Sequence, residues 1–265
     1  MSVPIALLTD FGTQDGYVGI MKGVIASTHP DAPVIDISHA VCPQDRLAAR
    51  FILLNAVPYF PTNTIYTVVV DPGVGTRRRA IAVQFSRGYL IGPDNGIFSG
   101  TLDTFPAIAA VTLNKPQYWR TPQPSTTFHG RDIFAPAAAY LSAGLPLAEL
   151  GQAIELHTLT NLNLPKPTIE PYRITGQIQY IDHFGNLITT IPGTAIAPRD
   201  WHINLNGTPI ALQTTYGEVA LGKAVAIVGS HNWVEIAVNQ GSAQAYYKLK
   251  IGDPIQLIAN SPHTS

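Results

Sequence analysis

Only one cysteine, Cys42, occurs in the 265 residues. A single thiol excludes an intramolecular disulfide and a zinc cage built on cysteines. Charge is scarce as well: charged residues make up 12% of the chain and the formal net charge is -1. The densest positive cluster is the short run Arg77 to Arg79, far less than a nucleic-acid groove needs to neutralise a row of phosphates. No apolar stretch approaches the roughly 20 residues that span a bilayer. The apolar start, Met1 to Thr9, lacks a basic leader and a cleavage site, so no signal peptide is expected. These absences point to a cytoplasmic protein without nucleic-acid or membrane partners. What is abundant is apolar material, 46% of the chain, ample for a packed core in one large domain or two modest ones.

The first two thirds alternate strand-like and helix-like segments. Strands are expected at Val3 to Thr9, Pro33 to Ile37, Thr64 to Val70, Ala80 to Phe85 and Tyr89 to Ile91. Helices are expected from Asp15 to about Thr28, with Val18, Met21, Val24 and Ile25 on the buried face, from Gln44 to Val57, and from Gly130 to Ala143. Pro136 is tolerable in the last of these only near its first turns. The alternation implies an α/β, Rossmann-like domain with a mostly parallel sheet over residues 1–160. Pro165, Pro167 and Pro171 mark a stiff connector over 161–172. Residues 173–265 then read as a smaller antiparallel β-barrel, with strands at Gln177 to Ile181, Leu187 to Ile191, Ala224 to Val228, Val234 to Val238 and Pro254 to Ile258.

In open α/β sheets ligands bind beyond the carboxyl ends of the strands. Asp10 follows the first strand, Asp71 the third, and Asp94 with Asn95 the strand that ends at Ile91, while Phe128 and His129 sit just before the Gly130 helix. Taken singly these are ordinary turn and cap residues. Together, Asp10, Asp71, Asp94 and His129 are expected to converge on one sheet edge. Carboxylates there suit ribose hydroxyls or a cationic ligand. Arg78, beyond a glycine turn, can fold back toward Asp71, with Arg77 or Arg79 as alternatives. An imidazole at a helix N-terminus is held neutral by the dipole and can accept a proton. The later cluster Asp182, His183, Phe184, Gly185, Asn186 and the stretch holding Ser230, Trp233, Glu235 and Asn239 carry the stacking faces and amides that a purine needs, or else form a plain hairpin turn and strand. No local spacing typical of a metal site occurs, and neither a Walker sequence nor a dinucleotide fingerprint is complete.

In this order the motifs Leu8-Thr9-Asp10-Phe11-Gly12, Asp15-Gly16-Tyr17-Val18-Gly19, Met21-Lys22-Gly23, Val70-Asp71-Pro72-Gly73-Val74-Gly75-Thr76, Gly92-Pro93-Asp94-Asn95-Gly96, Thr127-Phe128-His129-Gly130-Arg131-Asp132 and Asp182 to Asn186 resemble the S-adenosylmethionine hydroxide adenosyltransferase family, relatives of fluorinase and chlorinase. The resemblance covers nearly the whole chain. It implies hydrolysis of S-adenosylmethionine (SAM) at C5′ to adenosine and methionine, without a cofactor or metal. It maps a catalytic set onto Asp71, Arg78 and His129. It implies Asp10 on the ribose hydroxyls and Asp182, Phe184, Asn186 and Ser230 on the methionine and adenine parts. His231 stands where the fluorinase carries an arginine. The family further implies a homotrimer with its ligand sites between subunits.

A sulfonium leaves as neutral methionine, so what the reaction needs is an aligned nucleophile; alignment alone contributes about 7–11 kcal/mol. The expectation is that His129 and Asp71 deprotonate a water while Arg78 stabilises the forming hydroxide. A halide-using SAM enzyme would need an anion pocket, which the Asp71 carboxylate opposes. A non-catalytic SAM or adenosine sensor and a metal-dependent hydrolase on Asp10, Asp71, Asp94 and His129 are the other readings.

Overall fold

The computed structural model describes residues 3–196, 200–205 and 207–259. The chain divides after Asn163 into two units. The first contains β1 (Ile5–Thr9), α1 (Tyr17–Thr28), β2 (Val34–Ser38), α2 (Arg46–Ala56), β3 (Thr64–Val69), β4 (Ala80–Phe85), β5 (Gly88–Pro93), α3 (Ser99–Thr104), β6 (Ala107–Thr112), α4 (Ala135–Ser142) and β7 (Gln152–Ala153). Every residue of β1 and β3 is buried. Because neighbouring side chains in a strand point to opposite faces, such continuous burial requires cover on both sides of the sheet. On one face Ile5, Leu7, Ile65 and Val69 pack with Met21 and Ile25 of α1 and with α4. Val24 lies at the margin of the same cluster, only partly buried. The helix α2 starts where the Asp45 carboxylate accepts the Ala48 N–H at 2.9 Å.

The strand order is β2-β1-β3-β5-β4-β6-β7. The pairs β1–β2, β1–β3 and β3–β5 are parallel, as the βαβ alternation requires. The pairs β4–β5, β4–β6 and β6–β7 are antiparallel. Only two residues separate β4 from β5, too few for a parallel crossover, so this half forms by hairpin. The helix expected from Gly130 opens instead as one wide π-turn, Gly130–Phe134, before α4. Pro136 then falls in the first turn of α4, where its missing N–H breaks no bond.

The second unit contains β8 (Thr168–Glu170), β9 (Arg173–Ile181), β10 (Leu187–Pro192), β11 (Trp201–Leu205), β12 (Thr208–Gln213), β13 (Ala224–Val228), β14 (Trp233–Val238), α5 (Ala243–Tyr247) and β15 (Pro254–Ala259). The order β10-β14-β13-β12-β11-β15-β9 closes on itself through β9–β10 into a seven-stranded barrel, with β8 added outside β9. All these pairs are antiparallel except β12–β13. Ile174, Ile178, Leu187, Ile236 and Leu257 are among the residues filling the interior. Residues 161–172, expected as one connector, are divided: 161–163 belong to the first unit and 168–170 form β8. No helix among the described residues is long and apolar enough to cross a membrane.

Candidate active site

The parallel register of β1 and β3 pairs Thr9 with Val69. Asp10 and Asp71, one and two residues further on, therefore emerge at the same sheet edge. There they line a cleft of about 400 Å³, together with Phe11, Tyr17, Gln44, Phe128 and His129. Phe128 meets Phe11 and Tyr17 edge-on, at 5.7 and 5.3 Å between ring centroids. This gives the cleft an aromatic lining beside its polar groups.

The Asp71-Pro72-Gly73 turn reverses the chain. Val74 N–H donates to the Asp71 carbonyl and Thr76 N–H to that of Gly73, both at 3.2 Å. Arg78 consequently returns to Asp71. Its Nε donates to both carboxylate oxygens at 3.0 Å, and its Nη2 also donates to Asp71 Oδ2. Gly75, with φ +75°, closes the loop against the segment before His129; a Cβ there would strike the Thr126 carbonyl. This approach lets Arg78 Nη2 reach His129 Nδ1 at 2.7 Å. Arg78 is also stacked over the Phe134 ring, 5.4 Å from its centroid. It stands behind Asp71 and His129, outside the set of residues that line the cleft.

His129 carries a second constraint. Arg78 has only N–H donors, so Nδ1 must accept and the ring proton sits on Nε2. Burial, and then the Arg78 charge, hold the imidazole pKa below its ordinary 6.5, against the pull of Asp71 and Asp132. The loop that presents His129 is fixed by the fully buried Asp132. Its carboxylate accepts Arg120 Nε at 2.6 Å, Arg131 at 2.7 Å and the Ser125 N–H at 2.8 Å. Burial raises the pKa of Asp132, but these donors outweigh it and hold it well below the usual carboxylate range.

The structure thus brings Asp10, Asp71, Phe128 and His129 to one cleft, with Arg78 behind. Of the three consecutive arginines, Arg77 is exposed and Arg79 faces Asp94. Asp94 does not join the cleft. Its Oδ2 accepts Arg79 Nε at 2.8 Å and its Oδ1 the Thr160 N–H at 2.9 Å, so it clips the 155–163 segment to the sheet. Asn95 is likewise engaged internally, donating to the Val70 carbonyl at 2.9 Å. Both follow β5 on the way to α3, and their polar atoms tie that junction to β3, Arg79 and the 155–163 segment.

In the second unit, Asp182 closes the β9–β10 turn by accepting the Phe184 and Asn186 N–H groups at 2.9 and 2.8 Å. Phe184, Asn186 and Asn239 line a groove of about 590 Å³ with Tyr216 and Ser242. Ser230 sits on the β13–β14 turn and Trp233 begins β14, at the end of that strand opposite Asn239. Glu235 is buried rather than presented to a ligand. It accepts Tyr216 Oη–H at 2.5 Å and pairs with His231 Nε2 at 2.8 Å. Among the described residues, no group of three or more His, Cys, Asp or Glu is arranged to hold a metal ion.

Sequence reasoning did not single out Phe11, Tyr17 and Gln44 as cleft residues. Phe11 and Tyr17 belong to the quoted motifs, which was a usable signal. Gln44 had none: its role follows from a left-handed backbone, φ +68°, that turns its N–H to Asp10 Oδ2 at 2.7 Å.

Two family models match the chain: the SAM hydroxide adenosyltransferase N-terminal domain over residues 5–151 and the corresponding C-terminal domain over 176–256. A protein of Thermus thermophilus named (R)-S-adenosyl-L-methionine hydrolase is 40% identical, over 96% of this chain and 99% of its own. One of the same name from Salinispora tropica is 38% identical, over 96% and 97%. A fluorinase of an Actinoplanes species is more distant, at 26% over 94% and 95%. The crystal structure of an uncharacterized conserved protein from Thermotoga maritima superposes with a TM-score of 0.89 at 33% identity, over 96% of this chain and 99% of that one.

Proposed function

Since the chain belongs to the SAM hydroxide adenosyltransferase family, we infer that it is an enzyme that hydrolyses S-adenosyl-L-methionine at C5′ to adenosine and L-methionine. The observation that carries this reading is the junction of Asp71, Arg78 and His129 at the wall of a cleft lined by aromatic rings. A water seated between Asp71 and His129 receives a hydrogen bond from Nε2–H, the only orientation that the Arg78 contact leaves open. As its oxygen attacks C5′, the C5′–S bond breaks and methionine departs neutral. The water's proton passes to the Asp71 carboxylate. Arg78 holds both groups in register and supplies positive charge beside the forming hydroxide. The proton acceptor is thus Asp71, and His129 orients the water. Asp10 takes the ribose hydroxyls, and the Phe11, Tyr17 and Phe128 rings exclude bulk water from the nucleophile. The groove with Phe184, Asn186 and Asn239 serves the adenine and methionine parts. No cofactor is required, because the sulfonium is already an activated leaving group. The protein works in the cytoplasm as a homotrimer with sites at subunit interfaces, a state that light scattering on the purified protein would test.

The deciding experiment is incubation of pure protein with SAM, with and without chloride, followed by product chromatography. Adenosine in both samples supports hydrolysis. A halogenated nucleoside as main product replaces it with halide transfer, and tight binding without turnover replaces it with a sensor.

A further inference from the structure

The parallel ladder ends at Thr9, so no sheet hydrogen bond fixes Asp10 or Phe11 in the cleft wall. The Gln44 N–H holds the Asp10 carboxylate at 2.7 Å, and a buried histidine holds the backbone that carries it. His39, 7% exposed, follows β2. Its Nδ1 lies 2.9 Å from Thr9 Oγ1. Asp36 Oδ1 stands 3.0 Å from its Nε2, off the line of the N–H bond, and the other Asp36 oxygen takes Lys22 Nζ at 2.7 Å. The carboxylate beside Nε2 draws the ring proton there, which leaves Nδ1 to accept the Thr9 hydroxyl. Thr9 Oγ1 in turn accepts the Phe11 N–H at 3.3 Å, and the His39 carbonyl accepts the Gly12 N–H at 2.8 Å. One histidine therefore grips the chain on both sides of Asp10, through Thr9 before it and Gly12 after it. An apolar side chain would fill the same space without the cost of burying an imidazole.

We propose that His39 is a positioning residue for substrate binding, acting through Thr9 to set the Asp10 carboxylate against the ribose hydroxyls. This rests on the reading that the cleft takes SAM with Asp10 at the ribose. Ribose hydroxyls do not react, so Asp10 contributes equally to ground and transition states, and its displacement acts on KM rather than kcat. The test measures steady-state SAM turnover and adenosine binding by calorimetry. It uses the wild type, His39→Ala, His39→Asn and Thr9→Val, each with Asp10 intact and with Asp10→Ala. With Asp10 intact, His39→Ala and Thr9→Val raise KM and the adenosine Kd about tenfold while kcat stays within about threefold. His39→Asn, whose amide oxygen stands near the Nδ1 position, stays within about threefold of wild type. With Asp10→Ala, the same changes shift KM less than about twofold, since the group they position is gone.

Equal shifts in both backgrounds, or a loss of kcat at unchanged KM, overturn the proposal. If the wild type fails to convert SAM, the hydrolase reading falls, and the same pattern must still hold in the adenosine Kd; a wild type that binds no adenosine overturns the positioning role too. Should His39→Ala not fold, the near-isosteric Thr9→Val decides alone.

Discussion

Replacing Arg78 by alanine tests whether one guanidinium holds the site together. The Asp71 and Arg78 side chains are 5% and 10% exposed. Removing the guanidinium strips donors from both Asp71 oxygens and leaves a buried, uncompensated carboxylate, a change that typically costs about 3–5 kcal/mol. Because Asp71 also lines the open cleft, water can reach one side of it, and the lower figure, about 3 kcal/mol, applies. At about 2–4 °C per kcal/mol for a body of this size, melting should fall by about 6–12 °C. Scanning calorimetry reads this directly. The double variant Asp71→Asn with Arg78→Ala carries no stranded charge and should recover much of the loss, while staying inactive. Arg78→Lys should fall between, since it keeps a charge but loses the planar fork. If Arg78→Ala melts within about 2 °C of wild type, or the double variant melts lower still, the account of a buried pair is wrong.

Asp71→Asn should reduce kcat by about 10²- to 10⁴-fold with little change in KM, measured by chromatography of adenosine, because the amide cannot take the proton. The depressed pKa of His129 makes a signed prediction for stability. Its contribution is complete above the unfolded value of 6.5 and is lost as pH falls through the lower folded value. Denaturant titrations from pH 8 to 5 should show this loss in the wild type and a flatter profile in His129→Gln. Gly75→Ala should destabilise by more than about 1 kcal/mol, from positive φ and the clash with Thr126. It should also lower turnover by separating Arg78 from His129, as paired melting and activity measurements would show.

Much of this architecture was legible in residue patterns. The apolar run of β1 and the β-branched and aromatic run of β3 announced buried strands, and Asp10 and Asp71 beyond their ends announced the cleft. Periodicity carries no direction: only the short link between β4 and β5 signals that these two run antiparallel, and nothing in the patterns tells that β6 and β7 follow suit. The strand β12, with Pro209 and a single buried residue, Ile210, and the three-residue β8 are too short or too irregular to stand out. At the site, an aspartate after a strand looks alike whether it faces a ligand or a partner. Asp94 and Asp71 each pair with an arginine and differ in what else the fold places beside them: Thr160 for one, an open cleft for the other. Glu235 shows a related ambiguity. Its sequence neighbours His231 and Trp233 suggested a ligand surface; alternation along β14 sends Val234, Ile236 and Val238 into the barrel and Glu235 to the opposite face, where Tyr216 and His231 each take one of its oxygens.

The barrel closes on itself, yet β8 lies outside it, and among the described residues it pairs with β9 on one side and leaves its other side as a border along which another extended chain could attach. Pro167 stands immediately before that strand and Pro171 immediately after. Neither has an N–H to offer, so the border cannot grow beyond three residues in either direction. The prolines that stiffen the passage between the units thereby also guard the protein against self-association through unpaired backbone.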